Sequence, residues 1–163
     1  MRVALAADHG GAALKAELLT LLGGDGHELV DLGGDGSDPG DDYPDYARII
    51  GSFIRDGRAD RGILICGSGV GAAVAASKMP GIRASVCHDS YSAHQGVEHD
   101  DLNVLCLGAR VVGSELAAEL CRTFLAARFS GAPRHLRRVG KIGQIEAEAA
   151  EATRSGDRGG AAG

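Results

Sequence analysis

Arg61-Gly62-Ile63-Leu64-Ile65-Cys66-Gly67-Ser68-Gly69-Val70-Gly71-Ala72-Ala73 is the stretch that decides the fold. An apolar, partly β-branched run leads into a cysteine and reads as a buried strand. Glycines at alternate positions follow, and Val70 to Lys78 reads as a helix. Cys66 therefore sits where a strand ends, and the glycines form the turn that opens a helix. Such a turn aims backbone N–H groups and the positive end of a helix dipole at one point. A thiol placed there is expected to ionise more readily than a free cysteine. An anion site and a candidate base or nucleophile thus lie a few residues apart.

The same alternation extends outward in both directions. Arg2 to Ala7 reads as a first strand with Asp8-His9-Gly10-Gly11 as its exit turn. Ala12 to Leu22 reads as a helix with Leu14, Leu18, Leu19 and Leu22 on one face, stopped by Gly23, Gly24 and Gly26. His27 to Leu32 is a second strand, and Gly33 to Asp42 is a loop dense in glycine and aspartate. Asp45 is the expected N-cap of a helix through Ile54. After the central stretch come a strand over Arg83 to Cys87 and a helix over Ser90 to Glu98. A fifth strand covers Asn103 to Leu107. A long helix, with Ser114 as the expected N-cap, runs to Arg128. Pro133 breaks the chain before a last helix over Arg134 to Ala149. Five strands alternating with helices predict an α/β fold, a parallel sheet with helices on both faces. The expected organisation is a domain over residues 1–151 and a disordered tail over 152–163, rich in Gly, Ala, Ser and Arg.

Composition narrows the function classes. The chain has 163 residues, 44% of them hydrophobic and 24% charged, which suits one globular domain with a full core. A net charge of −5 gives no reason to expect a nucleic-acid partner. No apolar run approaches the roughly 20 residues of a membrane span. The start of the chain meets Asp8 too early for a signal peptide. Cys66, Cys87, Cys106 and Cys121 show no CxxC spacing and read as free thiols of a cytoplasmic protein. No HxxxH or HxH pairing appears, so no metal site is expected.

In parallel sheets, sites form at the C-terminal ends of the strands. Those ends carry Asp8-His9, Cys66-Gly67-Ser68, His88-Asp89 and Arg110. Each has a plainer reading. Asp8-His9 can cap the next helix. His99, after Glu98 near a helix end, can be an exposed structural histidine. His27, His88 and His94 read as surface or packing residues, and Cys87, Cys106 and Cys121 as core thiols. Arg134 and Arg138, four apart, point the same way and suit an anion clamp, although such clusters are often solvated faces. The turn Gly67-Ser68-Gly69-Val70-Gly71-Ala72 also fits the dinucleotide pattern G-x-G-x-x-A, with Asp89 as the following acid. Its place on the third strand, in a chain with no room for a second domain, argues against that reading.

Six segments in order carry a resemblance. They are Asp8-His9-Gly10-Gly11, Asp42-Tyr43-Pro44, Ile65 to Gly71, Pro80-Gly81-Ile82-Arg83-Ala84, His99-Asp100-Asp101-Leu102-Asn103 and Gly108 to Gly113. Together they resemble the ribose-5-phosphate isomerase B and galactose-6-phosphate isomerase subunit family over Met1 to Ala149. The resemblance implies a Rossmann-like three-layer αβα sandwich with a five-stranded parallel sheet and a C-terminal helix. It implies an aldose–ketose isomerase acting on a phosphorylated sugar without metal or nucleotide cofactor. It also implies a homodimer or homotetramer whose sites are shared between subunits.

Carried residue by residue, the resemblance makes Cys66 the general base and His99 the acid that opens the sugar ring. Gly67, Ser68, Gly69, Val70 and Gly71 would hold the enediolate oxygens. Asp8, His9 and Tyr43 would line the sugar, and Arg110, Arg134 and Arg138 would bind the phosphate. Asp100 falls at the position after the ring-opening histidine, where the family usually has asparagine. Ser77 likewise replaces a common asparagine, and Ser68 a common threonine. The alternatives are an isomerase for a tetrose or hexose phosphate, or a non-catalytic sugar-phosphate-binding protein. The presence of both Cys66 and His99 favours an enzyme.

Overall fold

The computed structural model describes residues 1–159 and divides into two compact units, Met1–Phe129 and the chain from Ser130 onward. The first unit holds five strands and five helices: β1 Arg2–Ala7, α1 Ala12–Leu22, β2 Glu28–Asp31, α2 Tyr43–Arg55, β3 Arg61–Cys66, α3 Val70–Ala76, β4 Ala84–Val86, α4 Ser90–Asp100, β5 Val104–Gly108 and α5 Ser114–Ala126. The strands form one sheet in the order β2-β1-β3-β5-β4. Every pairing is parallel.

Alternation along the central strands sorts the core into two layers. Val3, Leu5, Ala7, Ile63, Ile65, Leu105 and Leu107 face one way and pack with Leu14 and Leu18 of α1, Val97 of α4, and Leu120 and Phe124 of α5. Ala4, Ala6, Leu64, Cys66, Val104 and Cys106 face the other way and pack with Ala47 and Ile50 of α2 and Ala72 and Ala76 of α3. This is the expected three-layer αβα arrangement. A side chain such as Phe124, fully buried, contributes about 1.5–3 kcal/mol by leaving water. Arg61 ties β3 to the end of α5, donating to the carbonyls of Phe124 and of Ala127, the latter at 2.8 Å.

The strand order places the switch of chain direction between β1 and β3. Their exits diverge and open a crevice above the two strand ends.

Several boundaries depart from the sequence reading. α2 begins at Tyr43, and Asp42, not Asp45, holds the N-cap position with extended backbone. Pro44 explains this, because a fixed φ and a missing N–H suit the first helical turn. α5 starts at Ser114, so Gly113 rather than Ser114 is its cap. α3 stops at Ala76, two residues short of Lys78, and α4 runs on through His99 to Asp100. Asp101 ends α4 in the left-handed conformation at φ 53°. Aspartate tolerates that region, and Arg83 holds it there through Oδ2 at 2.6 Å and the main-chain carbonyl at 2.7 Å.

The second unit carries one helix, α6, Pro133–Gly159. It runs past Ala149 and takes in residues 152–159. Alanine and glutamate from Glu146 to Glu151 are strong helix formers and carry it past Ala149; residues 160–163 of the expected tail lie outside the described residues.

Candidate active site

The crevice between β1 and β3 is a cleft of about 340 Å³ lined by Asp8, His9, Gly10, Tyr43, Cys66, Gly67, Ser68, Gly71, Arg110 and Val111. Four separate segments of the chain supply these residues, with Tyr43 opening α2 and Gly71 in the first turn of α3. Cys66 is the last residue of β3, and only 4% of it is exposed. Gly69 adopts φ 80°, a conformation that favours glycine, and this folds the turn back over the cysteine. Its N–H donates to Cys66 Sγ at 3.1 Å. The Val70 N–H donates to Ser68 Oγ at 3.3 Å.

The loop after β5 braces this turn. Ala109 N–H donates to the Cys66 carbonyl at 2.9 Å and Arg110 N–H to the Gly67 carbonyl at 3.0 Å. The Arg110 guanidinium lies beside Gly67, its Cζ 3.5 Å from where a β-carbon on that glycine would stand. Gly108 N–H donates to His88 Nε2 at 2.9 Å, so of the surface and packing readings of His88 the packing one holds: it pins the end of β5.

Asp8 caps its own turn, its Oδ1 accepting from Gly11 N–H at 3.1 Å. Burial pushes its carboxyl above the ordinary aspartate range, against the Gly11 bond and His9, which pull it down. Asp8 thus braces the turn before α1 while lining the cleft, and the N-cap position of α1 falls to Gly11 rather than to Asp8 or His9. His9 is held by Asp41 Oδ1, through its N–H at 2.9 Å and its Nδ1 at 2.6 Å. The Tyr46 hydroxyl acts on the same carboxylate and, with His9, holds it below the ordinary range. Sequence reasoning missed Asp41 and Tyr46; the aspartate-dense loop was the only signal, and it does not say which carboxylate turns inward.

His99 lies in the last turn of α4 and does not line this cleft. Its Nδ1 stands 2.7 Å from Gln95 Nε2, and its Nε2 stands 3.9 Å from Glu98. Asp100 follows it, half-buried. Asp89 caps α4, accepting from Ser92 N–H at 2.7 Å, which lowers its pKa. That role places Asp89 as a helix cap, not as the ribose-binding acid of a dinucleotide fold. Arg134 and Arg138 are exposed on α6 in the second unit, and Arg134 Nε donates to His135 Nε2 at 2.8 Å.

All four cysteines are free and buried. Burial raises the pKa of Cys87 and Cys106 and pushes that of Cys121 up to about 12. These are core thiols, as their apolar settings predicted. Among the described residues no group of three or more His, Cys, Asp or Glu side chains is placed to hold a metal ion. No helix among them is long and apolar enough to cross a membrane.

A parallel α/β sheet with a thiol, a carboxylate and a guanidinium converging at its switch point defines an enzyme cleft suited to a small anionic ligand. The model of the ribose/galactose isomerase family matches residues 3–142. Ribose-5-phosphate isomerase B of Escherichia coli is 44% identical over 145 residues, covering 89% of this chain and 96% of that one. D-erythrulose-4-phosphate isomerase of Pectobacterium atrosepticum is 39% identical over 149 residues, covering 90% and 95%. Among solved structures, ribose-5-phosphate isomerase B of Clostridium thermocellum superposes with a TM-score of 0.85 at 46% identity, covering 91% of this chain and 99% of the other. The chain belongs to the ribose/galactose isomerase family.

Proposed function

We propose that this protein interconverts an aldose phosphate and its ketose, with ribose 5-phosphate and ribulose 5-phosphate as the leading pair. The observation that carries the reading is the Cys66 thiol at the cleft floor, taking the Gly69 N–H and facing Asp8 and Arg110. The Gly69 N–H fixes the sulfur at the cleft floor, and the thiolate is the form of a cysteine that acts as a base. In the open-chain aldose, the Cys66 thiolate takes the C2 proton and the electron pair moves toward the carbonyl at C1. The resulting cis-enediolate is stabilised by donors of the Gly67 to Gly71 turn. Cys66 then returns the proton to C1 as the O2 hydroxyl proton passes to O1 and the C2=O bond forms, so no oxidant is consumed. Arg110, with Arg134 and Arg138, binds the phosphate in bidentate forks. Phosphate held away from C1 and C2 fixes the reacting carbons against the sulfur.

Ring opening needs a proton donor at the ring oxygen, and His99 is our candidate. His99 lies outside the cleft of its own chain, so we place it, with Arg134 and Arg138, in a site shared between subunits of a homodimer or homotetramer. Asp100 beside it replaces an amide donor with a carboxylate, which bears on substrate choice. The protein would act in the cytoplasm and need no metal.

A second reading takes a tetrose phosphate as the substrate, favoured by the Pectobacterium relative that isomerises D-erythrulose 4-phosphate. The test is turnover on a panel of ribose 5-phosphate, the tetrose phosphates and galactose 6-phosphate, in EDTA. Highest kcat/KM on ribose 5-phosphate supports the first reading, and highest on a tetrose phosphate the second. Stabilisation by these sugars without turnover on any of them would mean a non-catalytic binding protein.

A further inference from the structure

Asp41 belongs to the loop between β2 and α2 and clasps a residue of the cleft. One of its oxygens, Oδ1, meets both the main-chain N–H of His9 and the His9 ring at Nδ1, at 2.9 and 2.6 Å. The Asp41 side chain is 12% exposed and that of His9 39%, so the carboxylate is enclosed while the ring keeps open surface and lines the cleft. Burial works against charge on Asp41, but the donors from His9 and Tyr46 outweigh it and hold its carboxyl below the ordinary range. Asp41 in turn raises the pKa of the His9 ring and, acting on Tyr46 directly, pushes that hydroxyl up to about 12.

The contact decides where the ring hydrogens are. Nδ1 must carry one, because it faces a carboxylate. Nε2 is then the ring nitrogen left for a ligand. In a neutral ring that nitrogen is a bare acceptor, and only the imidazolium bears hydrogen on both. Phosphate oxygens at neutral pH mostly accept. An anion therefore gains a bond from Nε2 only while the ring is charged. Asp8 and Arg110 carry opposite charges in the same cleft, so a charged His9 ring adds a second cation there for an anionic group to meet.

We propose that Asp41 is a positioning residue that locks the His9 ring with Nδ1–H toward itself and keeps it cationic, so that Nε2–H binds the anionic group of the sugar phosphate. The ligand's identity rests on the function proposed above; the state of the ring does not. The titratable groups around His9 are Asp8 at the end of β1, Cys66 of β3, Tyr43 and Tyr46 of α2, Arg110 after β5 and Asp41 itself.

The test compares the wild type with Asp41→Asn, which keeps the acceptor oxygen and removes the charge. The His9 ring is followed against pH by NMR, assigned with His9→Gln, with and without inorganic phosphate. KM and kcat for the aldose phosphate are measured over the same range. A raised pKa means that the cation is present below it and lost as pH rises through it. Asp41→Asn should lower the His9 midpoint, and KM should begin its rise at correspondingly lower pH. Above both midpoints the two KM values differ by about tenfold per pH unit of that displacement. They converge near about pH 5.5, where both rings are charged, and the effect falls on KM more than on kcat. Phosphate should raise the wild-type midpoint. An unchanged His9 midpoint in Asp41→Asn, a KM offset that does not vary with pH, or a midpoint blind to phosphate overturns the proposal. If no aldose phosphate is turned over by either protein, the proposed reaction fails while the two NMR results still decide the role of Asp41.

Discussion

Replacing Gly71 by alanine separates the cleft from the fold. Gly71 is the second residue of α3. A β-carbon there would stand 2.7 Å from Tyr43 Cζ and 2.9 and 3.0 Å from its two Cε atoms. These are the outer atoms of a residue already 40% exposed, so the ring can swing toward solvent. Alanine gains up to about 1 kcal/mol over glycine in a helix, less in the first turn. The displaced ring gives up some 20–40 Å² of contact, roughly 0.5–1 kcal/mol at about 25 cal/mol per Å². The terms nearly cancel, so Gly71→Ala should unfold within about 1 kcal/mol of the wild type. The cleft, however, loses its Tyr43 wall. KM for the aldose phosphate should rise about three- to tenfold, equivalent to roughly 0.6–1.4 kcal/mol. The assay is urea denaturation and steady-state kinetics on Gly71→Ala, Tyr43→Ala and the double variant. Because both single changes remove the same ring from the same wall, the double variant should match Tyr43→Ala rather than sum the two. Full additivity, an unchanged KM, or a stability loss above about 3 kcal/mol would refute the reasoning.

Further outcomes follow from the same geometry. Asp8 has a raised folded-state pKa, so its protonated form stabilises the fold at low pH and that contribution is lost as pH rises through the folded value. Asp8→Asn, which keeps the oxygen that accepts from Gly11, should therefore melt above the wild type at neutral pH, with the gap closing below about pH 4, and should turn over more slowly; a lower Tm at neutral pH would contradict this. Gly34→Ala should not yield a stable protein: φ is +82° and a β-carbon would lie 1.7 Å from the Ala7 carbonyl oxygen, a backbone clash worth more than about 4 kcal/mol. Near-native urea denaturation of that variant would show the loop to be more pliable than its packing indicates.

The layered sheet was legible because the strong signals are local. Apolar strands of five or six residues, helices with one apolar face, and glycine turns each follow from short-range physics. What was not legible depended on competition at boundaries or on distant partners. Pro44 and Asp42 took the start of α2 from Asp45 because the ring of proline fits a helix's first turn. α6 ran past Ala149 because alanine and glutamate outweigh the glycines beyond them. In the cleft, Asp8, Cys66 and Arg110 were readable from their places at strand ends. Asp41 and Tyr46 were not, since only the folded loop brings one of several aspartates onto His9. For His88 the sequence left surface and packing both open, because its partner is a main-chain N–H some 20 residues away.

The most direct test of the account is turnover of ribose 5-phosphate in D2O by the wild type and by Cys66→Ala. We expect the wild type to isomerise the sugar and to place solvent deuterium on C1 or C2, as proton transfer through an enediolate requires. Cys66→Ala, with its fold confirmed by an unchanged melting transition, should lose about 10²- to 10⁴-fold in rate. Wild-type turnover by Cys66→Ala would contradict the assignment of Cys66 as the base.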